Sequence, residues 1–378
     1  MKNLPVGIQT FKDIINGNFL YVDKTKYIYE LVKLSKGAYF ISRPRRFGKS
    51  LTISTLEAIF KNEQDLFKEF WISKSDYQWQ EYPIIKLDMT SVSNYTGKML
   101  DKILNKDLND ISEKYKVKID LTYPAKVNLK TLIHALYNKY GKVVVLIDEY
   151  DKPILDNISN VKIADANRKM LSDFYSVIKS EDACIRFVFL TGVTKFSKVS
   201  VFSGLNNLED LTMTDSCAAM LGYTQEELES NFSQYIDKFI DRNNINKNTL
   251  LTMIMSWYHG FKFSKNGAKV YNPFSISLFF KYQDFKNYWF ESATPTFLIN
   301  LIKEYNYNIY EAENSEVSED NFSVFEIDRI LPEPKQDFSS RSRQIKILTT
   351  GIHRVFRGLK FLFNAEIGEK DHFRSGTK

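Results

Sequence analysis

Residues 43–50 read Arg-Pro-Arg-Arg-Phe-Gly-Lys-Ser. A turn that grips phosphate needs backbone amides turned inward, a lysine for the β and γ oxygens, a hydroxyl for Mg²⁺ and a helix N-terminus behind them. Gly48 lets the backbone approach closely, Lys49 brings the charge, Ser50 brings the hydroxyl, and Leu51 enters the following helix. The candidate cradle is Arg45, Arg46, Phe47, Gly48, Lys49, Ser50 and Leu51. Two positions depart from the pattern G-x-x-x-x-G-K-[ST]. Arg43 stands where the first glycine belongs, and Pro44 has no amide hydrogen to offer. The three arginines either pair with phosphate directly or form an ordinary solvated turn. Taken alone, the string also fits a helix start that merely contains Gly-Lys-Ser.

A second constellation lies about a hundred residues on, at Val143-Val-Val-Leu-Ile-Asp-Glu149. A continuous β-branched run of this kind is the pattern of a strand buried on both faces of a parallel sheet. Its end places Asp148 at the carboxyl edge, where open α/β sheets bind ligands. Asp148 would hold Mg²⁺ together with Ser50, and Glu149 would orient and polarise an attacking water. The plain alternative is a buried strand with a solvated acidic end. The two motifs in this order, with chain for two crossovers between them, favour the joint reading: a site for ATP and Mg²⁺ that hydrolyses the nucleotide. A later run ends Phe189-Leu-Thr-Gly192, which makes Thr191 a candidate catalytic residue sensing the γ-phosphate, against the reading of a simple turn former.

These residues need a scaffold that brings strand tips together. Strand patterns occur at 37–42, 83–89, 143–147 and 185–190. The apolar spacing of Leu129, Leu132, Ile133 and Leu136 and that of Met170, Leu171, Phe174 and Val177 each predict a helix. The alternation predicts an α/β fold, a three-layer phosphate-loop core with a mostly parallel sheet over residues 1–213. Beyond Thr214 the β-branched runs stop, and helical patterns predict a smaller helical lid over 214–310. An acidic connector follows at 311–334 and a basic, atypical tail at 335–378.

Composition narrows the class. The 378 residues suffice for about two domains with their own cores. The formal charge of +6 suggests nucleic acid as a partner, but the segment 335–378 carries ten Lys or Arg against four Asp or Glu, so the remainder is neutral. Two cysteines, Cys184 and Cys217, leave no material for a disulfide framework. The start has no signal-peptide run and no apolar stretch is long enough for a bilayer, so a cytoplasmic chain without a membrane partner is expected.

With Phe19-Leu-Tyr-Val-Asp-Lys-Thr25, Ile41 to Ser50, Ile147-Asp-Glu-Tyr-Asp151, Leu190-Thr-Gly-Val-Thr-Lys-Phe196 and Trp257-Tyr-His-Gly-Phe261, the sequence resembles the bacterial AAA-ATPase-like family over about Leu4 to Leu331. The resemblance implies a phosphate-loop core with an additional strand and a catalytic glutamate, followed by a lid containing Tyr271-Asn-Pro-Phe274, and an arginine in place of the first glycine. Members often continue into a PD-(D/E)xK nuclease domain. Residues 335–378 contain no Glu-x-Lys triplet, so no nuclease activity is expected of them. The implied activity is ATP hydrolysis driving conformational change. The alternatives are a nucleotide switch with little turnover, or the regulatory half of a DNA-processing or nuclease system. A homo-oligomer and a nucleic-acid or nuclease partner are further candidates.

Other residues have two readings. Asp23-Lys24-Thr25 either lies near the nucleotide or serves as a helix cap or a buried ion pair under the loop. Asp151 either orients the site or begins a turn. His259 either touches phosphate or packs among its aromatic neighbours. Arg168, Arg186 and Arg242 are candidates for an arginine finger.

Overall fold

The computed structural model describes residues 1–92, 97–158, 160–194, 205 and 207–289. The expected connector at 311–334 and tail at 335–378 lie outside these residues. In chain order the elements are α1 (Phe11–Asn16), α2 (Thr25–Val32), β1 (Gly37–Ser42), α3 (Lys49–Phe60), β2 (Ile84–Asp88), α4 (Gly97–Lys114), α5 (Ala125–Tyr140), β3 (Val143–Asp148), α6 (Lys152–Leu155), α7 (Val161–Ser180), β4 (Ile185–Gly192) and β5 (Glu209–Asp210). Then follow α8 (Gln225–Asn231), α9 (Ser233–Asn243), α10 (Lys247–Tyr258), β6 (His259–Lys262), β7 (Lys269–Tyr271) and α11 (Pro273–Tyr282).

The first five strands form one parallel sheet in the order β2-β3-β4-β1-β5. Strand β4 is therefore inserted between β1, which leads into the loop, and β3, which ends in the acid pair. This is the additional strand that the resemblance implies. The two apolar faces of the sheet alternate along each strand, as a period of two requires. Ile85, Val143, Val145, Ile147 and Val188 meet α4, α5 and α7 on one side. Ile84, Val144, Leu146, Phe187 and Phe189 meet α1, α2 and α3 on the other. The three-layer α/β architecture is as expected, with helices on both faces.

Residues 225–289 add a helical unit around Leu228, Phe232, Ile236, Leu250, Ile254, Ile276, Phe279 and Tyr288. It is not wholly helical. Strands β6 and β7 form an antiparallel hairpin inside it, too short for its alternation to register in the sequence. The units also exchange segments. Leu20 and Val22 from the N-terminal region pack in the helical core. Cys217, Ala219, Met220, Leu221 and Val270 contribute to the sheet's second face. Among the described residues no helix is long and apolar enough to cross a membrane.

Candidate active site at the carboxyl edge of the sheet

Parallel pairing aligns the strand ends that matter. Ser42 lies opposite Gly192, Ile41 opposite Thr191, Ile147 opposite Leu190 and Asp148 opposite Asp88. The turn after β1 and the acids after β3 thus meet at one edge, on either side of the tip of β4.

The turn is anchored by Arg43, whose side chain faces the interior. Its guanidinium donates to the carbonyls of Ser42 (2.9 Å), Thr212 (2.8 Å) and Cys217 (3.2 Å), and it lies 4.0 Å from the ring centre of Phe263. Arg43 is therefore neither a phosphate ligand nor part of a solvated turn. At the position of the usual glycine it ties the loop to residues beyond the sheet. Phe47 is likewise internal, edge-on to Phe261 (4.8 Å) and Phe263 (5.4 Å), so only its backbone can serve the cradle. Burying such a ring contributes about 2–3 kcal/mol, which holds the loop at its midpoint. Leu51 packs its side chain against the same cluster.

Arg46 and Gly48 both have positive φ, 70° and 91°. Gly48 is the residue before α3, where the left-handed conformation costs little without a Cβ. Arg46 adopts it against its intrinsic preference, and its guanidinium rests over Phe274 at 4.7 Å. Two donors from the helical unit reach the same stretch. Trp289 Nε1 donates to the Arg45 carbonyl (3.0 Å) and Asn272 Nδ2 to the Arg46 carbonyl (3.3 Å).

Lys49 is buried, and its Nζ donates to the carbonyls of Arg43 (3.1 Å) and Pro44 (3.2 Å). The same ammonium lies 3.3 Å from Glu149 Oε1. Glu149 has φ of 54°, an uncommon conformation for a residue with a Cβ, and this bend at the end of β3 brings its side chain to Lys49. Its other oxygen, Oε2, is buried with no hydrogen-bond partner among the described residues.

Asp148 accepts hydrogen bonds from the hydroxyls of Thr191 and Ser50. Burial pushes its carboxyl above the ordinary aspartate range, the two hydroxyls oppose that shift, the Glu149 charge adds to it and Lys49 opposes it. Thr191 is fully buried, and its oxygen also accepts from the Glu149 amide at 3.3 Å. It aligns both acids and does not project into open space. Gly192 follows because the Tyr150 ring occupies the volume a side chain would need, 2.5 Å from an added Cβ.

Asp151, read from the sequence as either orienting the site or beginning a turn, is fixed next to Glu149. It is fully buried, and its Oδ2 accepts from the Val193 amide (2.9 Å), the Thr194 amide (2.7 Å) and the Thr194 hydroxyl (2.7 Å). Burial, aided by the charge of Glu149, pushes its carboxyl up to about 6. It fastens the turn after Glu149 to the chain leaving β4.

The remaining candidates fall elsewhere. Asp23 accepts from the Thr25 amide (2.8 Å) and hydroxyl (2.7 Å) and from the Trp71 amide (2.7 Å), and Lys24 pairs with Glu227 (2.6 Å), so this string is structural. His259 lies against the Tyr271 ring at 4.5 Å, in the hairpin. Arg168 pairs with Asp165, Arg186 donates to the Val32 carbonyl, and Arg242 donates to Gln283. None of these three arginines has a contact with the site residues among those described.

The donor set suits a hard cation. A serine hydroxyl and carboxylate oxygens are the ligands Mg²⁺ takes, and the unpartnered Oε2 of Glu149 leaves polar capacity at this edge.

A family model described as predicted AAA-ATPase matches residues 5–202. The chain is 37% identical over 316 residues to the uncharacterized protein in the vnfD 5' region of Azotobacter chroococcum mcd 1, an alignment covering 80% of this chain and 56% of that protein. The chain thus spans little more than half the length of this relative. It also has a distant likeness to the ORC2 protein of Aeropyrum pernix in its ADPNP–ADP complexes, with 12% identity, a TM-score of 0.35, and coverage of 74% of this chain and 70% of that one.

Proposed function

The chain belongs to the predicted AAA-ATPase family, and from that premise we propose that it binds ATP with Mg²⁺ at the edge formed by β1, β4 and β3 and hydrolyses the nucleotide. The observation that carries this reading is the convergence of Lys49, Ser50, Asp148 and Glu149, drawn from two motifs about a hundred residues apart. Coincidental strings have no reason to meet at one strand edge.

In this reading the amides from Arg46 to Leu51 surround the phosphates, with the N-terminus of α3 adding its dipole. Lys49 exchanges its carbonyl partners for phosphate oxygens. Ser50 and Asp148 hold Mg²⁺, which when bound neutralises phosphate charge. Glu149, freed from Lys49, orients the attacking water and accepts its proton. Thr191 keeps Asp148 and the Glu149 backbone in register. Turnover is coupled to movement of the helical unit, which a nuclease, nucleic-acid or like-chain partner would use.

The test is ATP binding and steady-state phosphate release with Mg²⁺ for the parent, Lys49→Ala and Glu149→Gln. Loss of binding in the first and retained binding without turnover in the second support a hydrolytic site. Binding without turnover in the parent would replace hydrolysis with a nucleotide switch. Absence of binding in the parent would sink the proposal.

A further inference from the structure

The loop lacks two of the usual means of presenting amides to an anion. Pro44 has no N–H, and the first-glycine position is filled by Arg43. The carbonyls of Arg43 and Pro44 are turned toward Lys49 Nζ. A trans peptide is planar, with its carbonyl and its N–H on opposite sides. The Arg45 amide, which shares a plane with the Pro44 carbonyl, therefore points away from Lys49. The cradle depends on the amides that follow.

Two of those amides are set from outside the α/β core. Trp289 fixes the Arg45 carbonyl, and this aims the Arg46 N–H the opposite way. Asn272 fixes the Arg46 carbonyl, and this aims the Phe47 N–H. Asn272 is itself rigidly placed: it is buried, and its Oδ1 caps α11 by accepting from the Ser275 amide at 2.9 Å. One side-chain amide thus holds the helix start with its oxygen and the loop with its nitrogen. Support from the helical unit also offsets the left-handed conformation of Arg46, which costs about 1 kcal/mol.

We infer that Asn272 and Trp289 are positioning residues of the phosphate loop, aiming the Arg46 and Phe47 amides so that affinity for a triphosphate depends on the placement of the helical unit. This rests on the reading of the loop as a nucleotide site. It supplies a direct route between that site and the helical unit: phosphate pulling on the two amides, and Asn272 and Trp289 pulling on the two carbonyls, act on the same peptide planes. By reciprocity, whatever displaces Asn272 and Trp289 from the loop weakens nucleotide binding, and nucleotide resists that displacement.

The test uses the full chain with Asn272→Asp, which keeps the cap oxygen and removes the donor, and Trp289→Phe, which keeps a ring and removes the N–H. Affinity for Mg·ATP and for magnesium pyrophosphate is measured by calorimetry, alongside thermal midpoints and steady-state kinetics. Each variant should bind both ligands about tenfold more weakly, the double variant weaker still. KM should rise with Kd while saturating kcat stays within about threefold, whereas a loss of folded protein would lower kcat and leave KM in place. If Asn272→Asp does not fold, Trp289→Phe decides alone. A parent that binds beside variants of unchanged Kd overturns the clasp and leaves the nucleotide site standing. A parent that binds neither ligand overturns both.

Discussion

The Lys49 ammonium lies 3.3 Å from the Glu149 carboxylate, so the cation assigned to phosphate and the base assigned to water form an ion pair with each other. The pair is well shielded, with the lysine side chain 3% and the glutamate side chain 16% exposed. Under the proposed function, a nucleotide entering the loop separates them, and Glu149 is released when phosphate takes its place on Lys49. Under that proposal, binding and the readiness of the base are linked through one contact.

Glu149→Gln is expected to lower phosphate release by at least about a hundredfold, the size usual for loss of a general base. Its affinity for Mg·ATP should equal or exceed that of the parent, because the charge competing for Lys49 is gone. Calorimetry beside a phosphate-release assay checks both halves. Weaker binding would show that Glu149 supports the loop more than it competes with the ligand.

Arg43→Gly, which restores the usual motif residue, is expected to impair the protein. It strips three carbonyls of their donor and empties the space over Phe263. Buried acceptors left unpaired cost about 1–3 kcal/mol each, so a loss of roughly 3 kcal/mol or more is expected. Urea denaturation measures it. An unchanged midpoint would contradict the anchoring role.

Thr191→Val keeps the shape and removes the hydroxyl that aligns Asp148 and the Glu149 amide. Stability should fall by about 1 kcal/mol. The Mg²⁺ concentration needed for half-maximal turnover should rise, since Asp148 loses an orienting partner. A variant with parental Mg²⁺ dependence would remove Thr191 from the site.

Asp151 sets a pH dependence. Its carboxyl is pushed up to about 6 in the fold, against an ordinary value of 3.8 in the unfolded chain. Between those values the folded state holds a proton that the unfolded state has released, so stability falls as pH rises from about 4 to about 6 and then levels. The contribution is on the order of 3 kcal/mol. Asp151→Asn should flatten that part of the profile, read as denaturation midpoints without nucleotide. Persistence of the slope would assign it to another group.

Much of the scaffold was legible because its signals are local. The run Gly37–Ser42 is a strand over its whole predicted length, and Val143–Ile147 extends by a single residue to Asp148. The predicted helices over 129–136 and 170–177 lie inside α5 and α7. Strand β5 was missed, since two residues hold no periodicity, and so was the β6–β7 hairpin.

What the sequence by itself determined was the α/β class and which residues meet at the candidate site: Lys49 and Ser50 at a helix start, Asp148 and Glu149 at a strand end. Such features depend on neighbours within a few positions, where backbone geometry links residue type to conformation. The tertiary structure decided which side chains face the ligand edge and which face inward. Arg43 read either as a phosphate contact or as part of a solvated turn and became an internal brace, because its three carbonyl partners include two from 169 and 174 residues away. Asn272 could be read as a helix cap ahead of a proline, but its hold on Arg46 spans 226 residues. Contacts over such distances arise only when separate elements pack, and no local pattern in the chain encodes them.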